Sequence, residues 1–266
     1  MQAAANPFKA AMLAREPRIG LWLALASSCA TEICAQSGFD WMLIDGEHSP
    51  NDLNSILAQL QILAAYPNVH AVARVPQGHG HVGEMLIKQY LDLGVQTLLV
   101  PMVNTPDQAA AIVRAARYPQ DSGGGGIRGI GGARASGWGR NSAYVQEANK
   151  QTCILVQIET REAIENILAI AGTEGVDGLL IGPADLSASL GHVGDPEHPE
   201  VQAVIENAIL SIVAAGKAAG IFTSDQLSAD RYLGAGATFV AVGIDTGLLV
   251  EATDLLASRF KRSIRS

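Results

Sequence analysis

Eight short apolar runs, almost free of polar alternation, recur through the chain at 19–26, 41–44, 69–75, 97–102, 153–158, 178–181, 220–223 and 239–242. A strand that is apolar on both faces belongs in a parallel sheet covered on both sides. Between the runs lie segments of helical length and polarity at 52–65, 81–93, 106–117, 161–171, 199–219 and 226–234. Strand and helix in alternation give an α/β fold. Eight such units in 266 residues match a closed (β/α)8 barrel, which usually takes roughly 250 residues. A doubly wound open sheet is the second architecture the pattern allows.

Local signals agree. Asn51 has N-cap character, and Asp52 puts a negative charge at the first turn of the helix that follows. Thr105-Pro106 sets a cap residue before a proline at the first helical position. Gly94, Gly172 and Gly220 stand where helices should stop. No linker divides the sequence, so residues 1–266 read as one domain. The glycine tract 123–126 is expected to be a surface loop or a lid.

Composition narrows the function. The formal charge is −8 with 18 Lys and Arg, which argues against nucleic acid as a partner. No apolar run reaches the ~20 residues of a membrane helix. Arg15, Arg18 and the run 19–26 imitate an export signal, but Glu16 and Pro17 interrupt it and cleavage would remove a core strand. Cys29, Cys34 and Cys153 are odd in number and lack zinc spacing; Cys29 and Cys34 read as buried thiols on or near a helix. A reducing cytoplasm is the expected compartment.

In a barrel of this kind the chemistry gathers at the C-terminal ends of the strands. There the sequence places Asp45, Glu47 and His48 after the second run, Arg74 in the third, Glu159 after the fifth and Asp185 after the sixth. Two carboxylates among oxygen donors suit a hard divalent cation. Glu159 and Asp185 could equally cap the helices that follow them. Arg74 offers a fork for a carboxylate, or a salt bridge inside the barrel. His48 can move a proton near neutrality, or simply bond within its loop.

Three other patterns carry less. Residues 124–129 satisfy GxGxxG but follow a helix within a glycine tract, so dinucleotide binding is rejected. His79-Gly80-His81 lacks a third metal ligand and reads as a solvated loop. The five lysines, Lys9, Lys88, Lys150, Lys217 and Lys261, all lie away from strand C-termini, and Lys88 and Lys217 read as helical. That disfavours Schiff-base chemistry.

The stretches 41–48 (WMLIDGEH), 98–102 (LLVPM), 156–160 (VQIET) and 181–187 (IGPADLS) together resemble the HpcH/HpaI aldolase family, over about residues 8–260. The resemblance implies a (β/α)8 barrel with its last helix exchanged between subunits, in a homohexamer. It implies metal-dependent cleavage of a 4-hydroxy-2-oxo acid to pyruvate and an aldehyde, with Mg2+, Mn2+ or Co2+ held at Glu159 and Asp185. By the same resemblance Arg74 grips the pyruvate carboxylate and His48 is the acid/base, oriented by Asp92. Asp45, Gln157, Gly182 and Ala184 then contact the substrate. The apolar Phe222, with Thr223 beside it, is expected to help select the aldehyde. Sugar-acid aldolases and thioester lyases of the same barrel, and a non-catalytic oxo-acid binder, are the alternatives. The segment 74–88 and the glycine tract 122–126 look longer than the family pattern.

Overall fold

The structure, a computed structural model, describes residues 4–120 and 125–264. Among these, eight parallel strands close into a barrel in chain order. They are β1 Arg18–Leu23, β2 Trp41–Asp45, β3 His70–Arg74, β4 Thr97–Val100, β5 Cys153–Ile158, β6 Gly178–Ile181, β7 Ala218–Phe222 and β8 Phe239–Ile244. The helices are α1 Pro7–Leu13, α2 Ser28–Ala35, α3 Leu53–Leu63, α4 Gly80–Asp92, α5 Pro106–Ala116, α6 Tyr144–Gln151, α7 Arg161–Glu165, α8 Ile167–Ala171, α9 Pro183–Ser189, α10 Pro199–Ala214, α11 Gln226–Gly234 and α12 Asp245–Ile264. The closed barrel is the expected one, and the open sheet is excluded.

The strands end where polar groups capture their backbone. β1 stops short of the expected residue 26, because Asp245 accepts from Ala24 N and Leu25 N and Ala26 turns left-handed at φ 52°. β4 stops at Val100, before Pro101 and a left-handed Met102. The apolar interior has two parts. One lies between strands and helices. The other fills the barrel around Phe8, Trp41, Leu43, Leu99, Leu155 and Phe239.

Several expectations need correction. The helix expected over 199–219 ends at Ala214, because Gly216 takes φ +80° and Lys217 N closes back onto Ile212 O. Gly220, expected to stop it, lies inside β7 against the Phe239 ring. Lys217 is therefore not helical. The segment 161–171 is two short helices joined at Asn166, whose side chain donates to Asn104 O at 2.9 Å. Asp52, not Asn51, caps α3; Asn51 instead donates to Asp45 O at 2.7 Å. Cys29 is exposed and Cys34 only partly buried. Of the glycine tract, Gly123 and Gly124 lie outside the described residues, while Gly126 packs on the backbone of Arg117.

α12 leaves the barrel. From residue 247 to residue 262 it is exposed, Leu248, Leu249, Val250, Leu255 and Leu256 each by half or more.

Candidate active site

Alternation along a strand sends every second side chain inward. Asp45 and Glu47 therefore share a face, as do Gln157 and Glu159. Asp45 and Arg74 are register partners on adjacent parallel strands. Arg74 Nε and Nη2 donate to the two oxygens of Asp45 at 2.8 and 2.7 Å. Arg74 Nη1 stands 2.7 Å from Glu47 Oε2, an ion pair that lacks hydrogen-bond alignment and leaves that oxygen without a donor. Trp22 completes the group: its Nε1 donates to Asp45 Oδ2 at 3.2 Å and its ring lies 5.1 Å from the guanidinium. Burial pushes the Asp45 carboxyl up, but the bonds and charge of Arg74 win and hold it below its ordinary value.

Glu159 is buried at the end of β5. Its Oε1 accepts from Met102 N at 2.7 Å and its Oε2 from Gln157 Nε2 at 2.5 Å. Burial, with the charges of Asp185 and Glu47, raises its carboxyl to about 7 against the Met102 and Gln157 bonds. Burial likewise raises Glu47, more than the Arg74 charge lowers it. Neither Glu159 nor Asp185 caps a helix. Thr160 caps α7 with its own side chain, and α9 starts at Gly182 with no side-chain cap. Asp185 is exposed in the first turn of α9.

A cavity of about 390 Å³ is lined by Trp22, Asp45, His48, Arg74, Gln157, Gly182, Ala184, Asp185, Phe222 and Thr223, among others, with Glu159 buried next to the lining Gln157 and Gly182. It thus gathers the expected site residues of five strands. His48 is well exposed, its Nε2 3.8 Å from Glu47 Oε1. Asp92 is the exception. It ends α4, which runs from the C-terminal rim back to the other end of the barrel, and it pairs with the buried Arg128 at 2.9 Å. The guanidinium of Arg128 in turn lies 4.3 Å from the Tyr118 ring. One chain does not bring Asp92 to His48.

The donors fit a hard divalent cation. Glu47, Glu159 and Asp185 repel one another, and Gln157 Oε1 and Glu47 Oε2 are buried without a hydrogen-bond donor. Gly182 leaves the room: a Cβ there would stand 2.6 Å from Glu159 Oε2. A second group of ligand-type side chains, His192, His198 and Glu200, lies where the loop after α9 enters the first turn of α10. The two imidazoles stack at 3.6 Å with planes 16° apart, so no ion can lie in both ring planes. His192 bonds Glu200 at 3.0 Å and the three clasp the loop.

Sequence reasoning left out Trp22, and put Glu47 at the rim without giving it a role. Trp22 was hidden in an apolar run. Glu47 had a signal, its two-residue spacing from Asp45.

Residues 18–252 match the family model described as HpcH/HpaI aldolase/citrate lyase. A 4-hydroxy-2-oxovalerate aldolase of Rhodococcus jostii (strain RHA1) is 55% identical over 260 residues, 98% of each chain. A 4-hydroxy-2-oxo-heptane-1,7-dioate aldolase of Escherichia coli is 55% identical over 257 residues, 96% of this chain and 95% of that one. Among solved structures, a HpcH/HpaI aldolase/citrate lyase family protein of Burkholderia cenocepacia J2315 superposes with a TM-score of 0.91 at 39% identity, covering 98% of this chain and 100% of that one. A closed barrel with a carboxylate-rich rim, matched along almost its whole length, belongs to the HpcH/HpaI aldolase/citrate lyase family of carbon–carbon lyases.

Proposed function

We propose that the protein is a metal-dependent (class II) pyruvate aldolase that cleaves 4-hydroxy-2-oxoheptanedioate reversibly to pyruvate and succinate semialdehyde. The observation that carries this is the Arg74 fork facing Asp185 across one cavity, with the crowded Glu159 buried beside it and bonded to Gln157 on its wall. The named activity of the Escherichia coli relative supports the substrate.

Arg74 binds the substrate carboxylate. Asp45 takes two of its five N–H donors, and the rest face Glu47 or the cavity. Gly182 and Ala184 line the pyruvate portion, and Gln157 stands beside the 2-oxo group. Glu159 and Asp185 would hold a divalent cation, Mg2+, Mn2+ or Co2+, which would supply Lewis-acid stabilisation of the negative charge that develops on the substrate. His48, through a water, takes the 4-hydroxyl proton as the C3–C4 bond breaks. That bond's electron pair passes to the pyruvate enolate, and the aldehyde leaves past Phe222 and Thr223. Protonation at C3 gives pyruvate.

The exposed apolar side of α12 supports a homohexamer with exchanged last helices. An orienting role for Asp92 at His48 requires a neighbouring copy in that assembly. Among the described residues no helix is long and apolar enough to cross a membrane. The three free thiols fit the cytoplasm.

Pyruvate alone, in D2O, tests the enolate step. With Mg2+ its methyl protons are expected to exchange; chelation or Arg74→Ala should stop the exchange. Binding of pyruvate without exchange would instead favour a non-catalytic oxo-acid binder.

A further inference from the structure

Met102 has φ 56°, in the left-handed region that side chains with a Cβ rarely adopt. Three hydrogen bonds define this turn. Met102 N–H donates to Glu159 Oε1 at 2.7 Å, and Val103 N–H donates to Gln157 O at 3.2 Å. Met102 C=O is held from another wall, by His79 Nε2 at 2.8 Å. A carbonyl only accepts, so the imidazole carries its proton on Nε2.

His79 lies between β3 and α4. It occupies the N-cap position of α4, yet its side chain makes no bond to that helix. A residue there ordinarily turns its side chain onto the helix's own first N–H groups. His79 reaches across to the β4 loop instead. The far side of that loop is already tied down, with Asn104 accepting from Thr160 Oγ1 at 2.6 Å.

We propose that His79 is a positioning residue. By holding Met102 C=O, it keeps the left-handed turn that aims Met102 N–H at Glu159 and so fixes that carboxylate. Without it, Met102 relaxes toward negative φ, its N–H swings away, and Glu159 keeps only Gln157. The functional consequence rests on the reading of Glu159 as a cation ligand; the geometric part does not.

The test uses the whole protein and two readouts, single-residue amide hydrogen exchange and binding of Mn2+ alone. Pro101 has no amide, so Met102 begins the exchanging segment. His79→Ala is expected to speed Met102 exchange and weaken Mn2+ binding, each about tenfold, the size of one lost hydrogen bond. His79→Gln retains an N–H donor and should preserve both. Adding Met102→Gly to His79→Ala should recover Mn2+ affinity, because glycine takes positive φ without a clash. Unchanged exchange in His79→Ala overturns the proposal. So does faster exchange with unchanged Mn2+ affinity, or a loss of affinity that neither His79→Gln nor Met102→Gly repairs. Faster exchange in His79→Ala, when even the unsubstituted protein fails to bind Mn2+, upholds the turn and removes the metal reading instead.

Discussion

At its N-terminal end the barrel is stoppered by Phe8 of α1, which stacks on His70 at 5.3 Å and meets Trp41 and Phe239 edge-on. At its C-terminal end the same sheet finishes in Asp45, Arg74, Gln157 and Glu159. Both ends bury titratable groups, and they resolve the cost in opposite ways. Burial pushes the His70 imidazole down to about 4, so it stays neutral in a packed apolar layer, bonded to Thr97 Oγ1 at 2.9 Å. At the rim, charge is kept: Asp45 is satisfied by Arg74, but Glu159 is left among other carboxylates. One end is built for stability, the other tolerates repulsion that a bound cation would relieve.

The largest expected break in this contrast comes from the rim. Glu159→Gln or Asp185→Asn should lower turnover roughly 10³-fold, as for other groups that stabilise developing charge, without lowering the melting temperature. Steady-state kinetics beside thermal unfolding would check it. At the other end the effects should reverse. Phe8→Ala should cost about 3–4 kcal/mol of stability by emptying a buried aromatic site. Its kcat/KM per folded molecule should hold, which urea unfolding and active-site titration would show.

pH sharpens the comparison, since the two ends titrate with opposite signs. Glu159 holds its proton to about 7 when folded and loses it near 4.5 when unfolded. The folded chain then binds more protons in that window, so stability falls as pH rises through it. His70 is protonated below about 4 when folded and below 6.5 when unfolded. The unfolded chain there binds more, so stability falls as pH drops from 6.5 toward 4. Each effect is on the order of 3 kcal/mol at most. In chelated protein the two slopes oppose each other where the windows overlap, so urea midpoints against pH should show a fall toward acid once Glu159→Gln removes one slope, and a fall toward pH 7 once His70→Phe removes the other. Curves unmoved by either substitution would contradict the assignment.

The barrel was legible because eight unalternated runs leave a soluble chain few alternatives. Boundaries were less so. The stretch 214–219 reads as helix by its alanines, and a left-handed Gly216 overrides it. At the site, Asp45, Arg74, Glu159 and Asp185 announced themselves as charged residues at strand ends. Trp22 did not, because an inward tryptophan at the top of a strand looks like core. The Asp92–Arg128 pair was also hidden, since it joins residues 36 apart through a fold in which α4 carries Asp92 away from the rim. His79 was dismissed as a solvated loop residue, and its bond to Met102 depends on a backbone turn that residue types do not encode.

Pyruvate release from 4-hydroxy-2-oxoheptanedioate, coupled to a pyruvate-consuming reaction and run with and without a chelator, tests the central claim most directly. Release that a chelator abolishes and Mg2+ or Mn2+ restores is the predicted result. Release that persists in chelator would contradict a cation at Glu159 and Asp185. No release from this acid or its sugar-acid analogues would contradict the aldolase itself.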